Sequence, residues 1–174
     1  MKKFTFILGG ARSGKSDFAL RHAESLNLRG KTPVFLATAK MLDIEMKKRI
    51  AEHKKKRPKR WKTIEEPVNI ESEIKKAGEG TVILVDCLTL WLSNLLDAGM
   101  NDASILREAK KTAKAGALAK ADVIMVSNEV GMGLVPITEI GRRFRDLAGT
   151  VNRIMAEKAD EVFYLAAGLP IKIK

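Results

Sequence analysis

Short apolar runs alternate with amphipathic segments along this chain of 174 residues. Five runs have the length and composition of strands: Phe4 to Leu8, Val34 to Ala37, Thr81 to Val85, Val123 to Val126 and Glu161 to Ala166. Runs that are apolar without alternation fit strands buried on both faces of a parallel sheet. The segments of helical length between them lie near residues 15–28, 43–55, 87–98, 103–120 and 138–158. This order predicts a three-layer α/β fold with a mostly parallel central sheet.

Length and composition favour one globular domain over residues 1–174. Hydrophobic residues make up 45% of the chain and charged residues 30%, which is ordinary for a folded protein. No apolar run reaches the roughly 18–20 residues that a membrane span requires, and the N-terminal run is too short for a signal peptide. The single cysteine excludes an internal disulfide and a cysteine-rich metal site. We therefore expect a cytoplasmic protein without a membrane span.

Positive charge is concentrated in one part of the chain. The formal net charge is +11, and residues 40–63 hold 11 Lys or Arg against 3 Asp or Glu. This stretch overlaps the least regular part of the sequence, residues 54–67, which we interpret as an exposed loop or lid. A basic segment fits either a nucleic-acid interface or a lid near residues 40–66 that faces the phosphates of a nucleotide.

Residues 9–16 have the sequence GGARSGKS and match the P-loop pattern G-x-x-x-x-G-K-[ST]. The motif follows the first predicted strand and opens the first predicted helix, which is the context that it requires. Its glycines let the backbone wrap around phosphate oxygens, while backbone N–H groups and the helix N-terminus form an anion cradle. Lys15 would bind the β- and γ-phosphates, and the Ser16 hydroxyl would bind Mg²⁺. The predicted fold is therefore P-loop NTPase-like.

A P-loop enzyme also needs an acidic residue on a neighbouring strand to orient the metal ion. Asp86 ends the apolar run that begins at Thr81, so it would lie at the carboxyl end of the sheet, where ligands bind. We assign Asp86 to Mg²⁺ together with Ser16, and an aspartate here can also cap the following helix. The base-reading motif of regulatory GTPases and the ABC-transporter signature are absent, which leaves a small kinase or nucleotidyltransferase.

His53 is a candidate nucleophile within the basic segment. Arg49 and the cations from Lys54 to Arg57 favour its neutral imidazole at pH 7, whereas the adjacent carboxylate of Glu52 opposes them. A neutral imidazole can attack phosphorus. Spacing alone favours a solvated histidine at the end of a basic helix. The other histidine, His22, lies on the first predicted helix and is interpreted as structural.

Ordered motifs beyond the P-loop run through nearly the whole chain. They are ATA at 37–39, D-x-E-M at 43–46, R-I-x-x-H-x-x-x-R-P-x-x-W-x-T-x-E at 49–65, DCLTLW at 86–91, SNEVG at 127–131 and GRRFRD-x-x-G-x-x-N at 141–152. With these motifs the chain resembles the bifunctional adenosylcobinamide kinase/adenosylcobinamide-phosphate guanylyltransferase family of cobalamin biosynthesis. So many ordered motifs make the resemblance far more specific than the P-loop alone.

The resemblance implies one nucleotide site that serves two reactions. As a kinase, the family moves the γ-phosphoryl group of ATP or GTP to a hydroxyl of adenosylcobinamide. As a guanylyltransferase, it attacks the α-phosphate of GTP with a histidine and releases pyrophosphate. The guanylyl group then passes to adenosylcobinamide phosphate, giving adenosylcobinamide-GDP. By motif position His53 is that nucleophile, and Lys15 would stabilise phosphoryl charge in both reactions. Members of the family form homotrimers, so the same is expected here.

The expected nucleotide site combines the P-loop with residues in and around the basic segment. Its residues are Gly9, Gly10, Ala11, Arg12, Ser13, Gly14, Lys15, Ser16, Ala39, Lys40, Met41, Lys54, Lys55, Lys56, Arg57, Glu65 and Asp86. Glu65 matches a nucleotide-contacting position of the family and could accept hydrogen bonds from guanine, or it could be a solvated acid that balances the lid. The expected partners are GTP, ATP, adenosylcobinamide and its phosphate, with Mg²⁺ as cofactor and no nucleic acid.

Two features in the C-terminal part of the chain can each be interpreted in two ways. The loop from Asn128 to Gly131 follows the fourth predicted strand and is either a ligand-contacting loop or an ordinary glycine turn. Arg145 and Asn152 share one predicted helix face. This face is either a contact with the corrinoid or another subunit, or an exposed surface of ion pairs. The alternative functions are a P-loop kinase of another small metabolite and a nucleic-acid-binding module built on residues 40–63.

Overall fold

The apolar runs of the sequence form the strands of a single sheet. The structure, a computed structural model, describes residues 2–27, 30–40, 47, 51, 54, 58 and 60–174. The strands within these ranges are β1 (Phe4–Gly9), β2 (Thr32–Ala37), β3 (Lys62–Glu65), β4 (Thr81–Asp86), β5 (Asp122–Asn128), β6 (Glu161–Ala166) and β7 (Leu169–Lys172). The helices are α1 (Lys15–Asn27), α2 (Ile70–Lys76), α3 (Leu88–Asp97), α4 (Asp102–Leu118) and α5 (Glu139–Lys158).

The strands lie side by side in the order β3–β2–β4–β5–β1–β6–β7. Every neighbouring pair is parallel except β6 and β7, which form an antiparallel hairpin at one edge. Parallel neighbours require crossover connections, and the described helices supply those that follow β1, β3, β4 and β5. The predicted α/β fold with a mostly parallel sheet is confirmed.

Alternate side chains of the strands fill two apolar layers, one on each face of the sheet. On one face Phe6, Ile83 and Met125 are buried with the apolar sides of α2, α3, α4 and α5. On the other face Ile7 and Leu84 are buried with the apolar side of α1. Because both faces are covered, the strands have continuous rather than alternating apolar sequences, and the three predicted layers are confirmed.

Three described elements are absent from the sequence-based prediction. Strand β3 pairs with β2 inside residues 54–67, so the prediction of a loop or lid is wrong for residues 62–65. Strand β7 and the seven-residue helix α2 complete the set. The helix predicted near residues 43–55 lies almost entirely outside the described residues, as does most of the predicted lid.

Two tryptophans hold the segments that flank the sheet edge. Trp61 packs against Phe35, with ring centroids 6.4 Å apart, and donates its Nε1–H to the Glu24 carboxylate on α1. The fully buried Trp91 donates its Nε1–H to the Val68 carbonyl over 2.8 Å. These contacts fix the start of β3 and the segment before α2, and both tryptophans have a packing role.

Helix α5 shows how polar and apolar positions divide between solvent and core. The Thr138 hydroxyl caps it by accepting a hydrogen bond from the Gly141 N–H over 3.2 Å. Its buried side includes Leu147, Val151 and Met155, and its charged residues lie on the opposite side. In the part of the chain that the structure describes, no helix has the length and apolar character that a bilayer crossing requires.

Candidate active site

The carboxyl ends of the parallel strands meet along one edge of the sheet, where the candidate residues lie. Strand pairing places Glu65 beside Ala37, Ala37 beside Asp86, and Asn128 beside Gly9. Neighbouring strands are about 4.8 Å apart, so Asp86 is about 10 Å and Glu65 about 19 Å from the strand that leads into the P-loop. A nucleotide lying along this edge would meet the P-loop with its phosphates and β3 with its base.

The P-loop has the backbone conformation that its motif predicts. Arg12 and Gly14 adopt positive φ angles of 57° and 85°, and Lys15 begins α1 directly afterwards. Inside the loop the Ser13 N–H donates to the Gly10 carbonyl over 3.3 Å. Such a reversal before a helix N-terminus is the arrangement in which backbone N–H groups converge on an anion.

The β6–β7 hairpin supports the P-loop. The Gly168 N–H in the hairpin turn donates to the Ser13 carbonyl over 3.0 Å, and Gly168 itself has a φ of 85°. Strand β6 also approaches Gly9 so closely that a Cβ atom there would lie 2.7 Å from the Leu165 carbonyl oxygen and 2.7 Å from Ser13 Oγ. Gly9 is therefore required by the packing of the loop on its neighbouring strand.

Replacing Gly9 with alanine is expected to destabilise the chain by about 2 kcal/mol, because the new methyl group must push the β6 backbone away. The measurement is the free energy of unfolding in urea. Gly10→Ala is the matched control, since a Cβ atom at Gly10 would have no neighbour within 4 Å. We expect its free energy of unfolding to stay within about 0.5 kcal/mol of the wild-type value. Equal values for the two variants would contradict the close approach at Gly9.

Lys15 is buried within the P-loop and places a positive charge there. Its Nζ donates to the Gly10 carbonyl over 2.8 Å, and only 7% of the residue is exposed. Burial lowers the pKa of Lys15, against opposing effects of the nearby Cys87 and Asp86 side chains. The loop thus holds an ammonium group at a cost in solvation, which a bound polyanion would offset.

Cys87 and Thr38 shape the edge next to Asp86. Burial raises the pKa of the Cys87 thiol to about 11, and the Asp86 carboxylate adds to this increase, so the thiol is neutral at pH 7. At that pH the charge that opposes the pKa decrease of Lys15 is therefore Asp86. The Thr38 hydroxyl donates to the Cys87 carbonyl and accepts from the Cys87 N–H, each over 2.8 Å. Asn94 in turn donates to the Thr38 carbonyl over 2.8 Å, which ties the ends of β2 and β4 together.

Asp86 and Ser16 offer the oxygen donors that Mg²⁺ prefers. Asp86 is half-buried at the end of β4, and Ser16 is half-buried in the first turn of α1. Among the described residues, no three His, Cys, Asp or Glu side chains form a metal-binding group. A Mg²⁺ ion usually binds one or two protein oxygens and completes its shell with phosphates and water, so this donor set fits the ion together with a nucleotide.

The far end of the site is described in part. Lys54 and Glu65, both expected to bind nucleotide, form an exposed ion pair of 2.7 Å. Ala39 and Lys40 are half-buried just beyond the end of β2, at the same edge. Five of the expected site residues, namely His53, Met41, Lys55, Lys56 and Arg57, lie outside the described residues.

The structure corrects the expected position of the acidic residue. The sequence predicts Asp86 on a strand that neighbours the P-loop strand, but β5 lies between β4 and β1. The end of this inserted strand, Asn128, therefore occupies the space between Asp86 and the P-loop, and the Glu129 N–H donates to the Gly9 carbonyl over 2.9 Å. The sequence indicates a ligand-contacting loop or a glycine turn here but gives Asn128 no role, because strand order cannot be read from the sequence.

Arg145 and Asn152 do not form a joint surface. Asn152 is 5% exposed and donates to the Asn128 carbonyl over 3.2 Å. Arg145 instead pairs with Asp146 over 3.1 Å. The expectation that both residues make one corrinoid or subunit contact is wrong, because Asn152 faces the core below the loop.

Comparison with known proteins identifies close sequence relatives over nearly the whole chain. A family model described as cobinamide kinase / cobinamide phosphate guanyltransferase matches residues 5–173. The bifunctional adenosylcobalamin biosynthesis protein CobP of Pseudomonas aeruginosa is 42% identical over 97% of this chain and 95% of its own length. The bifunctional adenosylcobalamin biosynthesis protein CobU of Escherichia coli is 36% identical over 97% of this chain and 98% of its own length. The protein of that name from Salmonella typhimurium is 39% identical over the same shares.

Solved structures with a similar fold are more distant in sequence. The RadB recombinase superposes with a TM-score of 0.50 at 16% identity, covering 93% of this chain and 73% of that one. A second solved structure, an ATPase domain, superposes with a TM-score of 0.52 at 14% identity, covering 94% of this chain and 69% of that one. These likenesses concern the fold alone, and they confirm the predicted P-loop NTPase-like architecture.

Proposed function

Because the chain belongs to the cobinamide kinase / cobinamide phosphate guanyltransferase family, we propose that it catalyses both reactions at the one sheet edge described above. In the first, the γ-phosphoryl group of ATP or GTP moves to a hydroxyl of adenosylcobinamide. In the second, the guanylyl group of GTP moves to adenosylcobinamide phosphate, giving adenosylcobinamide-GDP in cobalamin biosynthesis. The comparisons do not favour a kinase of another small metabolite.

The observation that carries the proposal is the buried ammonium group of Lys15 inside the P-loop. Transfer of a phosphoryl or nucleotidyl group places negative charge on phosphate oxygens, and a cation held in advance stabilises that charge without reorganisation. The buried hydroxyl of Ser13 has no hydrogen-bond partner among the residues that the structure describes, and a phosphate oxygen within the loop is the kind of partner that it lacks. The remaining loop residues from Gly9 to Ser16 would hold the phosphates through backbone N–H groups.

We include Mg²⁺ in the proposal, held by Ser16 and Asp86 together with phosphate oxygens. When bound, the ion would neutralise charge on the triphosphate. Asp86 also acts without it, because its carboxylate favours the protonated form of Lys15 against the cost of burial. Ser16 and Asp86 would thereby orient the triphosphate at the carboxyl edge of the sheet.

The base and the lid belong to the far end of the same edge. Glu65 would accept hydrogen bonds from the N1–H and N2–H₂ groups of guanine. Its ion pair with Lys54 is exposed and so contributes only about 0–1 kcal/mol, which a guanine base can replace. Ala39, Lys40 and Met41 would line the nucleotide at the end of β2. Lys54, Lys55, Lys56 and Arg57 would bind triphosphate or the phosphate of the corrinoid, as a lid in the part of the basic segment that precedes β3.

His53 would have a covalent role in one of the two reactions only. In guanylyl transfer its imidazole nitrogen attacks the α-phosphorus, the bond to the bridging oxygen breaks, and pyrophosphate leaves. A phosphate oxygen of adenosylcobinamide phosphate then displaces the histidine. In phosphoryl transfer the acceptor hydroxyl attacks the γ-phosphorus directly, so His53 has no covalent role.

The proposal extends to assembly and location. We propose one catalytic domain over residues 1–174 and a homotrimer. Support for the trimer comes from a group of apolar side chains that are largely exposed in the single chain, namely Met132, Leu134, Val135, Ile137 and Ile140. Groups of this kind commonly mark contacts with another protein. A cytoplasmic location completes the proposal and rests on composition alone.

Turnover assays test the two activities separately. The purified chain is incubated with adenosylcobinamide or with its phosphate, each with ATP and with GTP. We expect phosphorylation of adenosylcobinamide by at least one nucleotide, and formation of adenosylcobinamide-GDP from the phosphate with GTP only. Phosphorylation without any nucleotidyl transfer would instead indicate a plain kinase.

A further inference from the structure

We propose that Asn128 is a catalytic residue of the kinase reaction alone: its side-chain amide oxygen accepts a hydrogen bond from the acceptor hydroxyl that attacks the γ-phosphorus. This inference rests on the proposed function. It names a residue that orients the acceptor, which the P-loop and the metal-binding residues do not do.

The position of Asn128 follows from strand order and register. Strand β5 lies between β4, which carries Asp86, and β1, which leads into the P-loop. Asp86 pairs with Val126, and Asn128 is two residues further along β5, level with Gly9. At about 3.3 Å per residue, Asn128 lies about 7 Å beyond the level of Asp86. Asn128 is half-buried there, at the end of the strand that lies between Asp86 and the P-loop strand.

The amide of Asn128 is held in one orientation by Thr89. The Thr89 hydroxyl accepts from the Asn128 backbone N–H over 2.8 Å and from its side-chain Nδ2 over 3.0 Å. The Thr89 and Ser127 hydroxyls are 3.5 Å apart, and either of them can donate to the other. The Cys87 sulfur, 4.0 Å from Nδ2, is a weak second acceptor on the same side. In the structure the NH₂ group of Asn128 thus faces Thr89 and Cys87, and Oδ1 lies on the other side of the amide.

The backbone of Asn128 is held as well. The buried side chain of Asn152 donates to the Asn128 carbonyl over 3.2 Å. Among the residues that the structure describes, Oδ1 of Asn128 has no hydrogen-bond partner. A rigid residue at a ligand-bearing edge therefore keeps one acceptor atom available for a donor from a ligand.

The chemistry of that oxygen restricts what it can contact. An amide oxygen only accepts hydrogen bonds, and so do the oxygens of a triphosphate at neutral pH, so the two repel each other. The acceptor of the kinase reaction is a hydroxyl, which has a proton to donate. The acceptor of guanylyl transfer is a phosphate, which has none once ionised. Asn128 therefore has a partner in the first reaction only.

Asn128 orients the hydroxyl and takes no proton from it. The hydroxyl oxygen forms a bond to the γ-phosphorus, and the bond between that phosphorus and the β–γ bridging oxygen breaks. The electron pair of this bond leaves with the nucleoside diphosphate. The hydroxyl proton passes to an oxygen of the transferred phosphoryl group and then to solvent. Holding a nucleophile in line is worth roughly 100-fold in rate when the geometry is right to within about 1 Å.

The test compares two reactions of the same variants. Asn128→Ala is expected to lower kcat for adenosylcobinamide phosphorylation by about 100-fold with little change in the nucleotide KM. Its guanylylation by α-³²P-labelled GTP should stay within about 3-fold of the wild-type extent. Thr89→Val, which removes the hydroxyl that orients the amide, should lower the same kcat by about 10-fold. Thr89→Ser keeps the hydroxyl and should lose much less. Thermal unfolding of each variant reports whether the fold is retained.

The possible outcomes separate this inference from the proposed function. An equal loss in both reactions would overturn it, since Asn128 would then serve a part that both reactions share, such as a water on the metal ion. Unchanged kinase turnover in Asn128→Ala would also overturn it. A wild-type chain that guanylylates but never phosphorylates would overturn the kinase half of the proposed function, and this inference with it.

Discussion

Replacing Lys15 with methionine is expected to abolish phosphorylation and guanylyl transfer together while leaving the folded chain at least as stable. Removing a single preorganised charge from a phosphoryl-transfer site costs on the order of 10³-fold in rate. The rates in both turnover assays should therefore fall by about 10³-fold, which leaves little measurable activity. The common loss follows from a single P-loop that holds the triphosphate for both reactions.

The stability half of this prediction follows from the direction of the pKa shift. Burial lowers the pKa of Lys15, so the folded chain without nucleotide binds this proton less tightly than the unfolded chain does. The charged form therefore lowers stability below the ordinary pKa of lysine, and methionine removes that cost while filling the same space. Thermal unfolding without nucleotide measures the effect. A clear loss of stability would contradict the burial of the ammonium group, and survival of one activity would indicate a second nucleotide site.

The buried core of the fold could be predicted from the sequence, whereas its edges could not. Strands β1, β2, β4, β5 and β6 are recognisable as continuous apolar runs because both of their faces are covered. Strand β3 has one half-buried residue, Ile64, and β7 has none, so neither leaves an apolar pattern. Helix α2 buries only Ile70 and Ile74, which is too short a repeat to identify.

The same distinction holds for the site. Residues defined by local sequence could be predicted, whereas residues that depend on long-range contacts could not. A continuous motif specifies the P-loop, and an apolar run specifies Asp86 at its end, so both were predictable. The role of Asn128 depends on β5 being inserted between β4 and β1 and on a hydroxyl 39 residues away, Thr89. The support of the loop by Gly168 depends on a hairpin more than 150 residues along the chain. Contacts of this kind become visible only when the strands are placed side by side.

Replacing His53 with alanine is expected to abolish guanylyl transfer while adenosylcobinamide phosphorylation continues. Loss of a covalent nucleophile removes the pathway itself, so we expect a decrease of at least about 10³-fold in adenosylcobinamide-GDP formation. The measurement is covalent labelling with α-³²P-labelled GTP, followed by denaturation and treatment with acid. Wild-type chain should carry an acid-labile label, and His53→Ala should carry none.

The chain provides its own matched control, because its only other histidine is His22. His22 lies on α1 and stacks against Phe18 with ring centroids 6.0 Å apart, so it is held by aromatic packing on the body of the domain. His22→Gln should keep the acid-labile label. A label that survives His53→Ala and disappears in His22→Gln would identify His22 on α1 as the nucleophile. Continued phosphorylation by His53→Ala would in turn show that phosphoryl transfer needs no covalent intermediate on His53.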